Sequence, residues 1–199
     1  MPRTSTARAR LVESAGRRIH ASSYAAASVE DLCADAGVQK GSFYYFFPSK
    51  RDLALAAIDE QWQNTRATIL EPAFAPDVEP LARIARFFHM VAQRQRARVV
   101  RGCPFGNLVA ELGTQDKVIR ARVCKVFDGY QAYFERALRD AATSGSLPDF
   151  DIASAARALV AYFQGALLLA KTHNDAKIID GLADHALSLA VGAHPAESK

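Results

Sequence analysis

Apolar residues recur at three- and four-residue intervals through most of the chain, the spacing of amphipathic helices. Ala7, Leu11, Ala15 and Ile19 form one stripe of a helix predicted from Thr6 to about Ser23. Val29, Leu32, Cys33 and Ala36 fall at i, i+3, i+4 and i+7, the apolar face of a short second helix. Ser28 and Asp31 have the spacing of a capping box at its start. Ala36-Gly37-Val38 makes a turn, because glycine adopts a positive φ without steric cost. Gln39 to Phe47 then forms a third helix, Pro48 stops it, and Ser49 with Asp52 opens a fourth that runs to about Leu70. Two short helices across a tight glycine turn make a helix-turn-helix, whose second helix enters the DNA major groove.

The remainder is helical as well. Glu71 to Pro80 carries three prolines and reads as a linker. Leu81, Ile84, Phe87, Phe88 and Val91 follow at helical spacing, and Arg94, Arg96, Arg98 and Arg101 close that helix. Gly102, Pro104 and Gly106 break the pattern before a helix from Asn107 to Leu112. Ile119, Val123, Phe127, Tyr130, Phe134 and Leu138 mark the inner face of a long helix from Asp116 to about Ser144, with a turn over Ser144–Asp149 behind it. The last two helices, Ile152–Thr172 and Ala176–Val191, are apolar over most of their circumference and so must be buried on several sides. The expected architecture is all-α, with a helix-turn-helix head over residues 1–51, a connecting helix over 52–70 and a ligand-binding and dimerisation domain over 71–199.

Charge sharpens this picture. The formal net charge is +4, and residues 1–51 hold eight Lys and Arg against four acids, whereas residues 52–199 are balanced. All of the positive excess therefore lies beside the helix-turn-helix, which points to a polyanion partner for that segment. The N-terminus has no apolar signal core, and the longest apolar run, Ala158–Ala170, reads as too short to span a bilayer. Three scattered cysteines, Cys33, Cys103 and Cys124, do not make a disulfide framework, so a reducing cytoplasm is the expected home, with no membrane partner.

The expected DNA contacts are Ser28, Gln39, Lys40, Gly41, Ser42, Tyr44, Tyr45 and Lys50. Gln39, Lys40 and Ser42 open the second helix of the motif, from where side chains reach base edges. Gly41 lets the backbone approach the duplex. Tyr44 and Tyr45 offer hydroxyls to phosphate or sugar and rings to thymine methyls. Lys50, in the first turn of the next helix, suits a phosphate. Phe43, Phe46 and Phe47 are expected in the core.

Residues 6–55 resemble the N-terminal domain of the TetR family of bacterial transcriptional regulators. The resemblance rests on Ser28-Val29-Glu30-Asp31-Leu32, Ala36-Gly37-Val38, Gly41-Ser42-Phe43-Tyr44-Tyr45, Phe47 and Pro48-Ser49-Lys50. Phe46 departs from the pattern, since the family often carries histidine there. The resemblance implies a homodimer joined through a four-helix interface, and a connecting helix that carries ligand-induced displacement to the head. It further implies a repressor that binds a palindromic double-stranded operator and answers to a small-molecule inducer.

The segment Arg101-Gly102-Cys103-Pro104 resembles a subgroup of these regulators with a Gly-Cys at this point, some of which sense electrophiles or oxidants through it. In that subgroup a lysine within a late Ala-Lys dipeptide recurs, here Ala170-Lys171. The other reading of Cys103 is a small buried hydrophobe. Phe88, His89, Phe105, Tyr130 and Phe163 are the remaining candidates for a ligand cavity, and each also reads as core packing or, for His89, as an isolated polar side chain. No catalytic residue, metal ligand or cofactor is expected: the five histidines lack paired-ligand spacing, and there is no Cys-x-x-Cys, no GxSxG elbow and no phosphate-cradling glycine loop. Two rival functions stand beside the regulator, an architectural nucleoid protein without a ligand and an enzyme on a helical scaffold.

Overall fold

A computed structural model describes residues 3–96, 99–145 and 150–192. Among the described residues ten α-helices follow one another: α1 (Arg3–Ala21), α2 (Val29–Ala36), α3 (Lys40–Phe46), α4 (Lys50–Thr65), α5 (Glu71–Ala73), α6 (Pro80–Gln95), α7 (Pro104–Leu112), α8 (Lys117–Thr143), α9 (Ile152–His173) and α10 (Lys177–Gly192), with a π-helical turn over Arg66–Leu70 between α4 and α5. No strand occurs among the described residues, so the fold is all-α as expected. Of the expected features, Arg98 and residues 146–149 of the turn after α8 lie outside the described residues.

Three boundaries differ from the sequence reading, each for a local reason. The helix after Ser49 does not run uniformly to Leu70: its last turn widens, with the Glu71 amide donating to Arg66 O. Pro72 lies just beyond, where it has no N–H to offer and its ring crowds the carbonyl four residues back, and a wider turn relieves that crowding. The proline-rich linker is shorter than expected, because Glu71–Ala73 is still helical and Ala73 and Phe74 are buried. The break near Cys103 also ends early. Pro104 occupies the first turn of α7, where a missing amide costs nothing, and Gly106 lies inside the helix.

The chain forms two compact units, residues 1–64 with 104–125, and residues 65–103 with 126–199. The core of the first unit is built from the stripes read in the sequence. Leu11, Val12 and Ala15 of α1, Leu32, Cys33 and Ala36 of α2, Phe43 of α3, Phe47, and Leu53 and Ala57 of α4 are all buried in one cluster. The Gln61 side chain donates to Gly16 O at 3.0 Å, and a Cβ at Gly16 would lie only 2.9 Å from that amide. A side chain at position 16 would therefore have to displace the end of Gln61 from this hydrogen bond.

The second unit is centred on aromatic rings. Phe87 of α6 meets Phe163 of α9 at 4.8 Å between centroids and Phe134 of α8 at 5.4 Å, both edge to face. α10 packs against both α6 and α9. Buried Arg83 ties down the loop before α6, donating to Val78 O at 2.8 Å and to Asp140 at 2.5 Å. The apolar run Ala158–Ala170 belongs to a 22-residue helix, so α9 is long and apolar enough by composition to cross a membrane, contrary to the sequence reading. The run was judged without the flanking turns that extend it. One side of α9, including Ala155, Leu159, Phe163, Ala166 and Ala170, is buried in the unit, while Leu168 and Leu169 are 64% and 48% exposed.

Candidate nucleic-acid interface and effector region

α2 begins with a complete capping box: the Asp31 amide donates to Ser28 Oγ at 3.0 Å and the Ser28 amide to Asp31 Oδ2 at 3.3 Å. It ends on Gly37, whose φ of +61° lets the Gly37 and Val38 amides reach the Ala34 and Cys33 carbonyls at 3.1 and 2.9 Å. The chain is thereby turned into α3 at a fixed angle. Phe43 anchors α3 from below, fully buried and edge-on to the Tyr44 ring at 5.1 Å. Phe47 is buried with the Arg8 guanidinium 5.1 Å above its ring, and Phe46 is half-buried against the same core.

Anchoring one face exposes the other. Gln39, Lys40, Gly41 and Ser42 are exposed, and Tyr44 and Tyr45 are 55% and 77% exposed, an unusual display for large aromatic side chains. The structure thus brings six of the eight expected DNA contacts onto one short surface. A Cβ at Gly41 would meet nothing within 4 Å, so packing within the chain does not require glycine there. An open depression of about 340 Å³ beside this surface is lined by Arg10, Gly37, Gln39, Ser42, Tyr45 and Phe46 among others. Lys40 Nζ donates to Glu30 Oε1 across the turn; that bond chiefly raises the lysine and lowers the carboxyl relative to their ordinary values. Ser28 is half-buried and engaged in the cap, its hydroxyl also donating to Asp31 Oδ2 at 2.6 Å.

Lys50 is placed differently from the other expected contacts. Its ammonium donates to Tyr24 O at 2.7 Å and sits 4.2 Å from the centre of the Tyr24 ring, and burial lowers its pKa. Around it lie partners that the sequence reading missed. Glu111 of α7 accepts from the Tyr24 and Ala25 amides at 2.8 and 2.7 Å, and Arg51 is 3.7 Å from Asp116 at the start of α8. These pairs are separated by up to 87 residues, and local patterning carries no signal for them.

Asp35 locks α2 to α1. Buried Ser14 donates to its Oδ2 at 2.6 Å and Arg17 Nη2 approaches at 2.5 Å. The Ser14 hydrogen bond, followed by Arg17 and Arg18, holds its carboxyl below the ordinary aspartate value. A depressed carboxyl contributes stability above its unfolded pKa and loses it as pH falls through the folded value. Urea unfolding of the wild type should therefore show stability declining as pH drops below the ordinary aspartate range. D35N should lower stability at neutral pH and flatten that decline; an unchanged slope would remove Asp35 as its source.

In the second unit the expected effector residues divide into an interior and an exterior group. Phe88, Tyr130 and Phe163 are buried ring against ring, with centroid distances of 5.8 Å for Phe88–Phe163 and 5.6 Å for Tyr130–Phe163. Burial pushes the Tyr130 phenol well above its ordinary value, offset in part by a hydrogen bond with the Thr65 side chain. Thr65 is itself a buried polar residue at the head of the π-helical turn, and sequence periodicity gave no hint of it. Cys103 is buried and electrostatically coupled to Tyr130. Gly102 before it has φ +72°, and a Cβ there would lie 3.3 Å from Lys171 Cδ, so the lysine stem packs beside the Gly-Cys pair.

His89 faces outward, its Nδ1 3.0 Å from Asp180 Oδ1, where Arg96 also donates at 2.7 Å. Phe105 belongs to the first unit, edge-on to Trp62 at 6.5 Å. No group of three or more His, Cys, Asp or Glu among the described residues is arranged to hold a metal ion.

Residues 11–57 match the family described as bacterial regulatory proteins, tetR family, and residues 80–186 match the tetracyclin repressor-like C-terminal domain. The chain is 33% identical to the transcriptional regulator AcuR of Cereibacter sphaeroides, over 85% of this chain and 78% of that one. It is 28% identical to the HTH-type transcriptional repressor DhaR of a Mycobacterium species, over 87% and 86%. A regulatory protein TetR from Rhodobacter sphaeroides has the same fold, with a TM-score of 0.82 at 29% identity over 90% of this chain and 96% of that one. These relatives are regulators of transcription rather than enzymes. The two matched domains span the helix-turn-helix and most of the second unit, and the chain belongs to the TetR family of helix-turn-helix transcriptional regulators.

Proposed function

We propose that this chain is a homodimeric repressor of the cytoplasm that binds a two-fold symmetric operator and releases it when a small molecule or an electrophile engages the second unit. The observation that carries this reading is the exposed row on α3, where Lys40, Ser42, Tyr44 and Tyr45 stand outward from a helix held by buried Phe43. Such a row suits the major groove, and the basic excess of residues 1–51 supplies long-range attraction to phosphate. Gln39 and Gly41 complete the contact surface, with Ser28 at the start of α2. Lys50 contributes by supporting the Tyr24 loop, and a phosphate would have to compete with Tyr24 for it. Functional division of the chain follows as a head over 1–51, a connecting helix over 52–70 and an effector and dimerisation domain over 71–199.

Pairing of two copies is supported by the outward face of α9. Leu168 and Leu169 are exposed there, and Gly165 of α9 and Gly181 of α10 have open space where a side chain would stand. The apolar outer face of α9, with α10 packed beside it, suits a four-helix interface between subunits, and the same face removes the need for a membrane to cover α9.

Selection from a random DNA pool tests the function directly. A palindromic sequence should emerge, bound about 10³-fold or more tighter than unrelated DNA. Binding with a steep salt dependence and no enriched sequence would instead establish the architectural rival.

For the effector, Cys103 and Lys171 are the candidate reactive pair, with Phe88, Tyr130 and Phe163 walling the interior beside them. The Lys171 stem packs against Gly102, next to the buried cysteine in the chain, and turning its ammonium towards Cys103 would favour a thiolate. Stoichiometric modification of Cys103 by N-ethylmaleimide should weaken binding to the selected operator by about tenfold or more, within the usual range of allosteric coupling. Unchanged affinity after complete modification would leave Cys103 a buried hydrophobe and confine effector binding to a non-covalent ligand.

A further inference from the structure

One carboxylate of α7 holds the loop that leads into the helix-turn-helix. Glu111 Oε2 accepts from the Tyr24 amide at 2.8 Å and Oε1 from the Ala25 amide at 2.7 Å, a two-pronged grip on successive residues. Lys50 closes on the same residue, donating to Tyr24 O at 2.7 Å with its ammonium over the ring. Tyr24 is therefore fixed at its amide, its carbonyl and its side chain. The loop's own hydrogen bonds run from the Ala26 and Ala27 amides to Ser23, at 3.1 and 3.3 Å, and leave the Tyr24 and Ala25 amides to Glu111.

We propose that Glu111 is a positioning residue for operator binding, through which α7 sets the pose of the helix-turn-helix. This rests on the regulator reading above. α7 begins at Pro104, directly after Gly102 and Cys103, and Glu111 lies two turns further along it, about 10 Å away at the usual helical rise. Hydrogen bonds to a carboxylate are short and directional, so a shift of α7 by about 1 Å would stretch both prongs out of bonding range. The loop would then be held from outside by Lys50 alone, with the Tyr24 and Ala25 amides released, and α2 with α3 would lose the fixed entry angle that a groove-matched pose requires.

The test is the variant E111Q, which preserves size but sets an NH₂ group against one of the two amides. With the full-length dimer and the operator obtained by selection, E111Q should weaken operator binding by about tenfold or more, while binding to unrelated DNA of equal length stays within about twofold. Hydrogen exchange should quicken at the Tyr24 and Ala25 amides of E111Q and stay unchanged at Phe43 in α3. Wild-type operator affinity in E111Q would overturn the proposal, and so would an equal loss on operator and unrelated DNA, which marks a general structural defect. If the wild-type chain itself shows no sequence preference, the regulator reading fails instead. Unaltered exchange at Tyr24 and Ala25 would sink the grip in either case.

Discussion

Replacing Phe43 by alanine is expected to destabilise the first unit by about 3–5 kcal/mol and to abolish operator binding at 25 °C. Phe43 is fully buried, and its ring touches both Tyr44 and Phe47, at centroid distances of 5.1 and 6.1 Å. It belongs to a core of buried residues contributed by four short or medium helices, and α3 itself is only seven residues long. A helix of that length does not persist in water on its own propensity, so its order depends on burying this one ring. Circular dichroism of F43A should show an early loss of helix on heating or in urea. A melt superimposable on the wild type would show that Phe43 is not the anchor.

The neighbouring substitution separates stability from recognition. Tyr45 is two residues along the same helix and 77% exposed. Y45A should lower stability by no more than about 1.5 kcal/mol, because its one ring contact, edge-on to half-buried Phe46 at 5.0 Å, is at the core's rim. Operator affinity should nevertheless fall by roughly 1–3 kcal/mol if the side chain reaches a base edge or methyl. The pair of variants thus assigns opposite duties to two aromatic residues in one heptapeptide, Lys40–Phe46.

Those duties were legible before any coordinates. The spacing of Val29, Leu32, Cys33 and Ala36, the capping pair Ser28 and Asp31, and Gly37 at the turn each report a local constraint, and local constraints are written in consecutive residues. Phe43 as core follows from that frame; for Tyr44 and Tyr45 the residues alone offer two arrangements, both outward or one partly structural, and it takes the packing to expose both. Lys50 shows where this kind of reading stops. Its sequence position suggests phosphate, yet its ammonium is committed to Tyr24, 26 residues earlier, and burial depresses its pKa. Glu111 is a sharper case: a half-buried glutamate in a helix has no local signature that distinguishes a solvated charge from a clamp on a distant loop.

The effector region was read less well for a related reason. Phe88, Tyr130 and Phe163 were picked out as aromatic residues at helical spacing, and they do meet in one cluster. Phe105, chosen as an aromatic residue within the expected helix break, belongs to the other unit, and His89 is engaged at the surface with Asp180. Helical periodicity says that a residue points inward without saying which interior receives it. Thr65 and the widened turn after it escaped notice because a π-helical turn keeps the apolar spacing nearly intact. Pro72, six residues before Val78, was the available clue, and it was absorbed into a linker.

Phe87 is the residue whose removal should cost the second unit most. Its ring lies 4.8 Å from Phe163, 5.4 Å from Phe134, 5.7 Å from Phe88, 5.9 Å from Phe74 and 6.1 Å from Tyr130. Alanine there removes buried area and every one of these ring contacts, for about 3–5 kcal/mol, and should lower Tm by about 10 °C or more. Neighbours anchored on α6, α8 and α9 and on the residue after α5 cannot all move inward, so the space should persist as an apolar cavity. Such cavities stay dry and accept benzene. Saturating benzene should therefore raise the Tm of F87A by several degrees and leave the wild type unmoved, since a ligand held at about 100 times its Kd contributes about 2.7 kcal/mol. F87L, which retains most of the volume, should lose far less. The same experiment bears on the effector: Phe88, Tyr130 and Phe163 are both the proposed effector walls and the immediate neighbours of Phe87. If benzene restores the stability of F87A and at the same time weakens its hold on the operator, occupancy of this cluster is coupled to the DNA-binding head; restored stability with unchanged operator affinity would place the effector elsewhere.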